Sequence, residues 1–255
     1  MTIRVFRDSY YLMRRALREA LRQPAVEITN IFIPIFFFAV TVGAIGNIAG
    51  RAFGVTNFLG FQMPVAILQA VAGASGSAGL GTVTDIERGY FDKLLLTPTP
   101  RLALVFGRMA ADSVRAMLLT TIILIAGLVT GSGMAAGPGG FLLIIAMGGT
   151  FGLAYAGIGM AIALRTGSAQ AAQAGFLVFF PLLFLSPAFA PKEIFTDWLE
   201  FLATINPITY ILQGMRHLVL EGWDLGSLAG ALAAIVGLAA FTLTMTLAAL
   251  RSRTA

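Results

Sequence analysis

A densely charged stretch between two long apolar runs organises the chain: Thr84-Asp85-Ile86-Glu87-Arg88-Gly89-Tyr90-Phe91-Asp92-Lys93-Leu94-Leu95-Leu96-Thr97-Pro98-Thr99-Pro100-Arg101. As a helix, this stretch would place Phe91, Leu94 and Leu95 on one face, with Arg88 and Asp92 paired one turn apart on another. The Thr-Pro-Thr-Pro run then ends the helical pattern. The sequence therefore predicts a short helix at residues 86–97. Its surroundings decide whether it is an ordinary solvated loop helix or a site of contact.

The composition is that of an integral membrane protein. The 255 residues are 58% hydrophobic and 11% charged, with a mean hydropathy of +0.87, whereas an average soluble domain is roughly 25% charged. The chain has no cysteine, which excludes disulfides and cysteine-ligated metal, and its one histidine, His217, leaves little for other metal sites. The net charge of +5 is modest, and no nucleic-acid partner is expected.

Residues 1–24 are predicted to form an amphipathic helix at the membrane surface. The six arginines of this segment fall within an arc of roughly 100° on a helix, and apolar side chains lie on the neighbouring face. Such a helix lies flat at the headgroup layer with its arginines toward anionic lipid. A cleaved signal peptide is disfavoured, because the arginines run through its would-be apolar region. The arginines assigned to the membrane surface are Arg7, Arg14, Arg18 and Arg22.

Six windows are apolar enough to cross about 30 Å of hydrocarbon, which takes about 20 residues. The predicted spans are 28–46, 57–83, 109–131, 140–164, 169–188 and 225–250. The third is the least apolar, and mutual pairing of Arg108, Asp112 and Arg115 is expected to lower the cost of its charges. Small residues at spacing four, such as Gly148 and Gly152, predict close contacts between helices.

The distribution of basic residues predicts that both termini are cytoplasmic. With the N-terminus inside, fourteen basic residues lie on the cytoplasmic side, and only Arg51, Lys192 and Arg216 lie on the other. This bias follows the positive-inside rule and requires an even number of spans. The charged stretch between the second and third spans is therefore expected to face the cytoplasm.

Residues 191–221 are predicted to form an outer re-entrant or interfacial hairpin before the last span. Its first part is a short amphipathic helix whose apolar stripe includes Trp198. Asn206 is a favoured N-cap and Pro207 a favoured first helical residue, so a second helix is expected to follow them. Both are too short and too polar to be spans. His217, in the second helix, has no evident nucleophile partner and is expected to be structural.

No internal energy source is visible in the sequence. It contains no Gly-x-x-x-x-Gly-Lys-Ser/Thr motif for binding ATP. Five of the six predicted spans have no ionisable residue in their interiors, which disfavours an ion-coupled carrier. A membrane bundle without its own energy source, but with an ordered element facing the cytoplasm, indicates an external motor.

The stretch from Asp85 to Pro98, with Asn206-Pro207-Ile208-Thr209-Tyr210 downstream, resembles the permease subunits of type-2 ABC exporters, closest to the daunorubicin-resistance permease group. The resemblance covers essentially the whole chain. It implies an all-α membrane fold with an N-terminal connecting helix, a coupling helix that docks into a separate ATP-binding subunit, and outer gate helices. The implied ATPase-coupling residues are Asp85, Glu87, Arg88, Phe91, Leu94 and Leu95. The implied gate residues are Trp198, Asn206, Pro207 and Tyr210. Many members carry a second acidic residue where this chain reads Gly89-Tyr90-Phe91, which bears on the polar contacts with the motor.

The resemblance implies an exporter of amphipathic drug-like compounds or lipids in a bacterial plasma membrane. Two permease copies, identical or related, would bind ATP-binding subunits that hold ATP and Mg²⁺, while this chain has no catalytic residue and binds no cofactor or metal. Phe179, Phe180 and Phe184 are candidates to line a substrate cavity, although lipid-facing or core positions are the default expectation for such residues. The alternative function is a non-transporting membrane scaffold or assembly factor that recruits a cytoplasmic partner.

Overall fold

The computed structural model of the chain describes residues 2–97 and 99–254, with side chains at all of these except 2–4, 50, 51, 53, 77, 95, 101 and 254. Within the described residues the chain forms eleven α-helices and one short 3-10 turn, Lys192–Ile194. The helices are α1 (Thr2–Leu21), α2 (Pro24–Phe53), α3 (Phe58–Glu87), α4 (Tyr90–Leu95), α5 (Arg101–Val129), α6 (Gly137–Thr166), α7 (Ala169–Leu177), α8 (Phe179–Phe184), α9 (Asp197–Ile205), α10 (Pro207–Leu220) and α11 (Leu225–Thr254).

Five of the described helices are long and apolar enough to cross a membrane. They are the segments Pro24–Ala49 of α2, Phe58–Glu87 of α3, Leu102–Val129 of α5, Gly137–Thr166 of α6 and Leu225–Arg253 of α11. The predicted fifth span, 169–188, is instead divided between α7 and α8, which together make the shorter apolar segment Ala169–Phe184. Pro181 explains the break, because it has no N–H to donate to the carbonyl of Leu177.

The third predicted span also begins earlier than expected. Its helix, α5, starts directly after Pro100, whose backbone lies outside the helical region. Residues 101–108 therefore extend the helix by two turns beyond the predicted start at 109. As a result, Arg108, Asp112 and Arg115 lie on the second to fourth turns of α5, where they meet α1, α2 and α3.

Helix α6 is the centre of the bundle and contacts α3, α5 and α11. Glycine makes the closest contacts possible: a Cβ at Gly148 would lie 2.1 Å from the hydroxyl of Thr120, and one at Gly152 would lie 2.4 Å from Cβ of Ala116. The predicted close helix contacts are confirmed at these two positions. Helix α3 is also central: 83% of its apolar 18-residue segment is buried inside the bundle. In α2 the buried share of the corresponding segment is only 11%.

Helix α1 lies against the bundle along one side. A Cβ at Gly107 in α5 would come within 2.6 Å of Cβ of Leu12, so the two helices are in direct contact there. Phe6, Tyr10 and Leu21 are exposed on another side of α1. The sequence predicted an apolar face on this helix but not the packing against α5, because that contact depends on a glycine far along the chain.

Candidate functional site

The charged stretch forms a sharp bend, which we name the elbow (residues 84–97). Helix α3 ends at Glu87, and α4 begins at Tyr90. Between them Gly89 has a φ of 65°, a left-handed conformation that costs L residues roughly 1–2 kcal/mol. The prediction of one helix over 86–97 is therefore wrong: Gly89 donates its backbone N–H to Ile86 at 2.9 Å and the chain changes direction.

Asp85 joins three helices at the base of the elbow. Its side chain accepts two hydrogen bonds from Arg15 of α1, at 2.6 and 3.2 Å, and one from Arg108 of α5, at 2.6 Å. Arg108 also donates to Glu19 of α1 at 3.2 Å. Asp85 is 5% exposed, so water screens these charges little. The predicted coupling residue Asp85 thus binds the protein's own arginines instead of facing outward.

Arg15 also connects α1 to α4. Its guanidinium lies 3.9 Å from the ring centre of Tyr90, the first residue of α4. Partial burial alone would lower the pKa of Arg15, but the hydrogen bond and negative charge of Asp85 raise it above its usual value. Arg15 therefore stays charged at physiological pH and holds both sides of the elbow.

A second ion-pair cluster links α2 to α5. Arg115 donates to Asp112 on the same helix at 2.8 Å and to Glu27 near the start of α2 at 2.5 Å. The predicted pairing of Asp112 with Arg115 is confirmed. Arg108, which was expected to share this cluster, pairs instead with Glu19 of α1 and Asp85 of α3, because α5 packs against both of these helices.

The apolar face of α4 is turned mainly inward. Phe91 is 6% exposed and packs in a cluster with Val105, Met160 and Leu250, from α5, α6 and α11. Leu94 is half-buried against the same cluster, and the side chain of Leu95 lies outside the described residues. Phe91, which was predicted to contact a partner, is thus covered by the bundle in this conformation. Buried Phe91 instead anchors α4 to the bundle.

A different set of side chains forms the outer surface of the elbow. Leu96 is 88% exposed, the largest exposure among the large apolar residues of the described chain. In the same segment, charged side chains of both signs are exposed: Glu87, Arg88, Asp92 and Lys93. Sequence reasoning missed Leu96, because it follows the last residue of α4 and falls outside the helical spacing of Phe91 and Leu94.

At the opposite end of the molecule, Asn206 organises the outer hairpin. Its side-chain oxygen accepts the N–H of Ile208 at 3.0 Å, which confirms the predicted N-cap of α10, and Pro207 is the first residue of that helix. The amide nitrogen of Asn206 donates to the carbonyls of Leu182, at 2.5 Å, and Leu185, at 3.1 Å, at the end of α8. Asn206 therefore ties the hairpin to the broken fifth apolar segment.

The other predicted gate residues lie nearer the surface. The hydroxyl of Tyr210 donates to the carbonyl of Thr204 at 2.6 Å, closing the corner between α9 and α10. Trp198 is 63% exposed on α9. Nδ1 of His217 lies 3.2 Å from a carboxylate oxygen of Glu221, four residues further along the chain.

Arg216 is the residue of the hairpin that sequence reasoning missed. It is 7% exposed and donates to three main-chain carbonyls: Phe61 at 2.9 Å, Pro187 at 2.6 Å and Ala188 at 3.0 Å. Its guanidinium also lies 3.5 Å from the ring centre of Phe61. Arg216 thus fastens α10 to α3 and to the segment after α8. Its position as the one arginine in α10 was the available signal.

The three phenylalanines proposed for a substrate cavity occupy different environments. Phe179 is fully buried in the core, 5.9 Å from the ring of Tyr155. Phe180 is half-buried beside Phe176, and Phe184 is 61% exposed. The side chains therefore do not line one common cavity in this conformation.

The arginines predicted to face lipid are all exposed. Arg7, Arg14 and Arg18 lie on α1, and Arg22 follows directly after its last residue. Arg7 is paired with the neighbouring Asp8 at 3.5 Å. Arg18 and Arg22 also line a cavity that lies between α1, α2, α3 and α5.

The apolar bundle with a polar elbow defines an all-α, multi-pass membrane protein. The chain belongs to the ABC-2 type transporter family, whose sequence profile matches residues 8–220. It is similar to the daunorubicin resistance ABC transporter permease protein of Streptomyces coeruleorubidus, with 24% identity covering 83% of this chain and 76% of that protein. It is also similar to the probable doxorubicin resistance ABC transporter permease protein of Mycobacterium tuberculosis, with 25% identity covering 88% of this chain and 81% of that one. The resemblance drawn from the sequence is confirmed, and the chain is a transport permease subunit.

Proposed function

We propose that this chain is the membrane-spanning part of an ATP-driven exporter that a separate ATP-binding subunit energises. The observation that carries the proposal is the two-sided construction of the elbow. Its outer surface exposes Leu96 among charges of both signs, which suits contact with a soluble protein. Its inner side is fixed by Phe91 and Asp85 to the bundle.

This construction suits the transmission of force. A displacement of α4 acts through Phe91 on the cluster formed by α5, α6 and α11. It acts through Tyr90 and Arg15 on α1, and Asp85 shares Arg15 and Arg108 with α1 and α5. Because packed interiors resist deformation, the elbow and the ends of these helices move together when ATP binding closes the motor.

The outer hairpin is proposed as the gate. Asn206 and Arg216 together make five hydrogen bonds from the hairpin to the main chain of α3, α8 and the residues after α8. The hairpin, the end of α8 and the start of α3 are therefore joined and move together, and the break before Phe179 lets α8 follow them without α7. ATP and Mg²⁺ are held by the partner subunit in this scheme.

Two permease copies, identical or related, would complete the transporter. Helix α2 is apolar yet little buried, so it has a face available for lipid or for the second copy. Both termini and the elbow lie in the cytoplasm of a bacterial cell in this scheme, as the basic residues indicate. The names of the two relatives support amphipathic drug-like substrates, and the fold is equally compatible with lipids.

The test is to reverse one charge on the elbow and the same charge at the opposite end. Glu87→Arg should lower the amount of ATP-binding subunit that copurifies with the permease, and should lower daunorubicin efflux from proteoliposomes. The matched control is Glu193→Arg, an exposed glutamate before α9, which should leave both unchanged. Equal effects of the two variants would refute the coupling role of the elbow. If copurification depends on Glu87 but the wild-type protein transports none of the amphiphiles tried, the result would favour a non-transporting scaffold instead.

A further inference from the structure

A cavity of about 700 Å³ opens beside the elbow. Its walls come from the second half of α1, the start of α2, the end of α3 and the first half of α5. This volume lies within the range of ligand-binding cavities, roughly 300–1,000 Å³. No described residue of α4 lines the cavity, and neither does Leu96; Arg88 is the one described residue that belongs both to this lining and to the exposed surface of the elbow. The proposed motor contact at Leu96 and Glu87 therefore does not account for the cavity.

Charge distinguishes this cavity from an ordinary packing gap. Six arginines line it: Arg15, Arg18, Arg22, Arg88, Arg108 and Arg115. The lining also contains the carboxylates of Glu19, Glu27 and Asp112, and Asp85 lies directly behind Arg15 and Arg108. Six cations against these four anions leave a net charge of +2 in one concave site.

Three of the arginines are not engaged by the protein's own carboxylates. Arg15 and Arg108 pair with Asp85 and Glu19, and Arg115 pairs with Glu27 and Asp112, as described above. In the described part of the chain, Arg18, Arg22 and Arg88 form no ion pair. These three guanidinium groups are free to bind an anion that enters the cavity.

The remaining lining suits an amphiphile. Alanines on α1, α3 and α5, with Val26 and Leu80, supply apolar wall beside the arginines. Val26 lies at the start of α2, where exposed apolar residues such as Ile28 and Phe32 continue along the same helix. A headgroup in the cavity could therefore keep its acyl chains against the outer face of α2.

We propose that this cavity binds a phosphate group through Arg18, Arg22 and Arg88. Guanidinium groups bind phosphate oxygens in paired hydrogen bonds, and basic cavities at the membrane surface recognise anionic headgroups. The phosphate belongs to an anionic membrane lipid or to a soluble phosphate compound, which share this chemistry. The proposal concerns binding by the permease alone and does not depend on ATP hydrolysis. It also implies that a cationic amphiphile is disfavoured at this site.

The test uses the purified full-length permease and two probes. Native mass spectrometry would measure retention of phosphatidylglycerol against phosphatidylcholine, whose headgroup has no net charge. Calorimetry in detergent would measure binding of inorganic phosphate. Arg18→Gln and Arg22→Gln should each weaken binding of the phosphate probe about tenfold, the loss expected for one charge-assisted contact. Both arginines are exposed, so the variants are expected to fold, and thermal unfolding checks this.

Two further variants distinguish binding inside the cavity from non-specific binding to the basic surface of the protein. Arg165→Gln, at the end of α6 and outside the cavity lining, should leave binding unchanged. Arg14→Gln removes an exposed charge from α1 that does not line the cavity. Equal losses from Arg14→Gln and Arg18→Gln would assign binding to the whole surface of α1 and overturn the proposal.

The probes identify the source of the phosphate. Phosphatidylglycerol retention that depends on Arg18 and Arg22 supports the cavity as a lipid site. Inorganic phosphate binding with the same dependence, without lipid retention, supports it as a site for a soluble phosphate compound. If neither probe binds with this dependence, the proposal is overturned, while the motor contact proposed for Leu96 and Glu87 is unaffected.

Discussion

Replacing Asp85 with asparagine should release the elbow from the bundle. Asp85→Asn keeps the size of the side chain but removes the charge that Arg15 and Arg108 share. The Arg108 side chain is 15% exposed and, among the described carboxylates, keeps its ion pair with Glu19, at 3.2 Å. The substitution therefore leaves a largely buried guanidinium with less compensation and weakens three hydrogen bonds between helices.

The expected loss in the free energy of unfolding is about 3 kcal/mol. Removing one partner of a buried ion pair costs about 3–5 kcal/mol. The lower end applies here, because the side chain of Arg15 is 39% exposed and regains water, and because Glu19 still neutralises part of the charge on Arg108. An exposed pair would contribute only about 0–1 kcal/mol, so the measurement distinguishes a buried joint from a surface contact.

The assay is equilibrium unfolding of the purified permease in mixed micelles with increasing SDS, followed by helical circular dichroism. Asp92→Asn is the matched control, because Asp92 is exposed on α4 and should change stability by under about 0.5 kcal/mol. A double-mutant cycle with Arg108→Gln should show that the two losses are not additive. Equal stability of Asp85→Asn and Asp92→Asn would refute the structural role given to Asp85.

Further predictions concern the elbow turn, the hairpin and the topology. Gly89→Ala should lower the free energy of unfolding by about 1–2 kcal/mol, because alanine is strained in the left-handed conformation. Gly89→Asn should lower it by less, because Asn tolerates this conformation and no atom lies within 4 Å of a Cβ at this position. Equal losses in SDS unfolding would contradict this cause. Arg216→Ala should lower the free energy of unfolding by at least about 3 kcal/mol, because three carbonyls lose their donor, and Arg216→Lys should restore only part of this loss. Lys192→Ala is the control, and equally small losses in Arg216→Ala and Lys192→Ala would contradict the anchoring role of Arg216. In this cysteine-free chain, a membrane-impermeant maleimide should label Glu193→Cys but not Asp92→Cys in intact cells; the reverse pattern would overturn the proposed orientation.

The apolar helices could be predicted from the sequence because length and composition alone determine whether a segment can span a bilayer. Five of the six predicted spans correspond to long helices, and the N-cap at Asn206 followed from local chemistry. In the fifth apolar segment, Pro181 indicated a bend, but the division into two helices before Phe179 could not be predicted, because proline is often accommodated in membrane helices and its effect depends on the neighbouring helices.

The orientation of side chains around the elbow could not be predicted from spacing. Helical periodicity placed Phe91 and Leu94 on one face but could not say that α5, α6 and α11 would cover that face. The left-handed turn at Gly89 depends on a backbone conformation that many glycines do not adopt. Arg216 was counted only for its charge, and its three carbonyl partners lie 28 to 155 residues away in the sequence.

The central claim, that the elbow receives force from an ATP-binding subunit, is tested most directly by site-specific photo-crosslinking. A photoreactive amino acid at Leu96, the exposed apolar residue of the elbow, would be compared with one at Ile194, an exposed apolar residue before α9. In membranes that contain both subunits, we expect a crosslink to the ATP-binding subunit from position 96 that changes in yield when ATP is added, and none from position 194. No crosslink from position 96, or equal crosslinking from both positions, would contradict it.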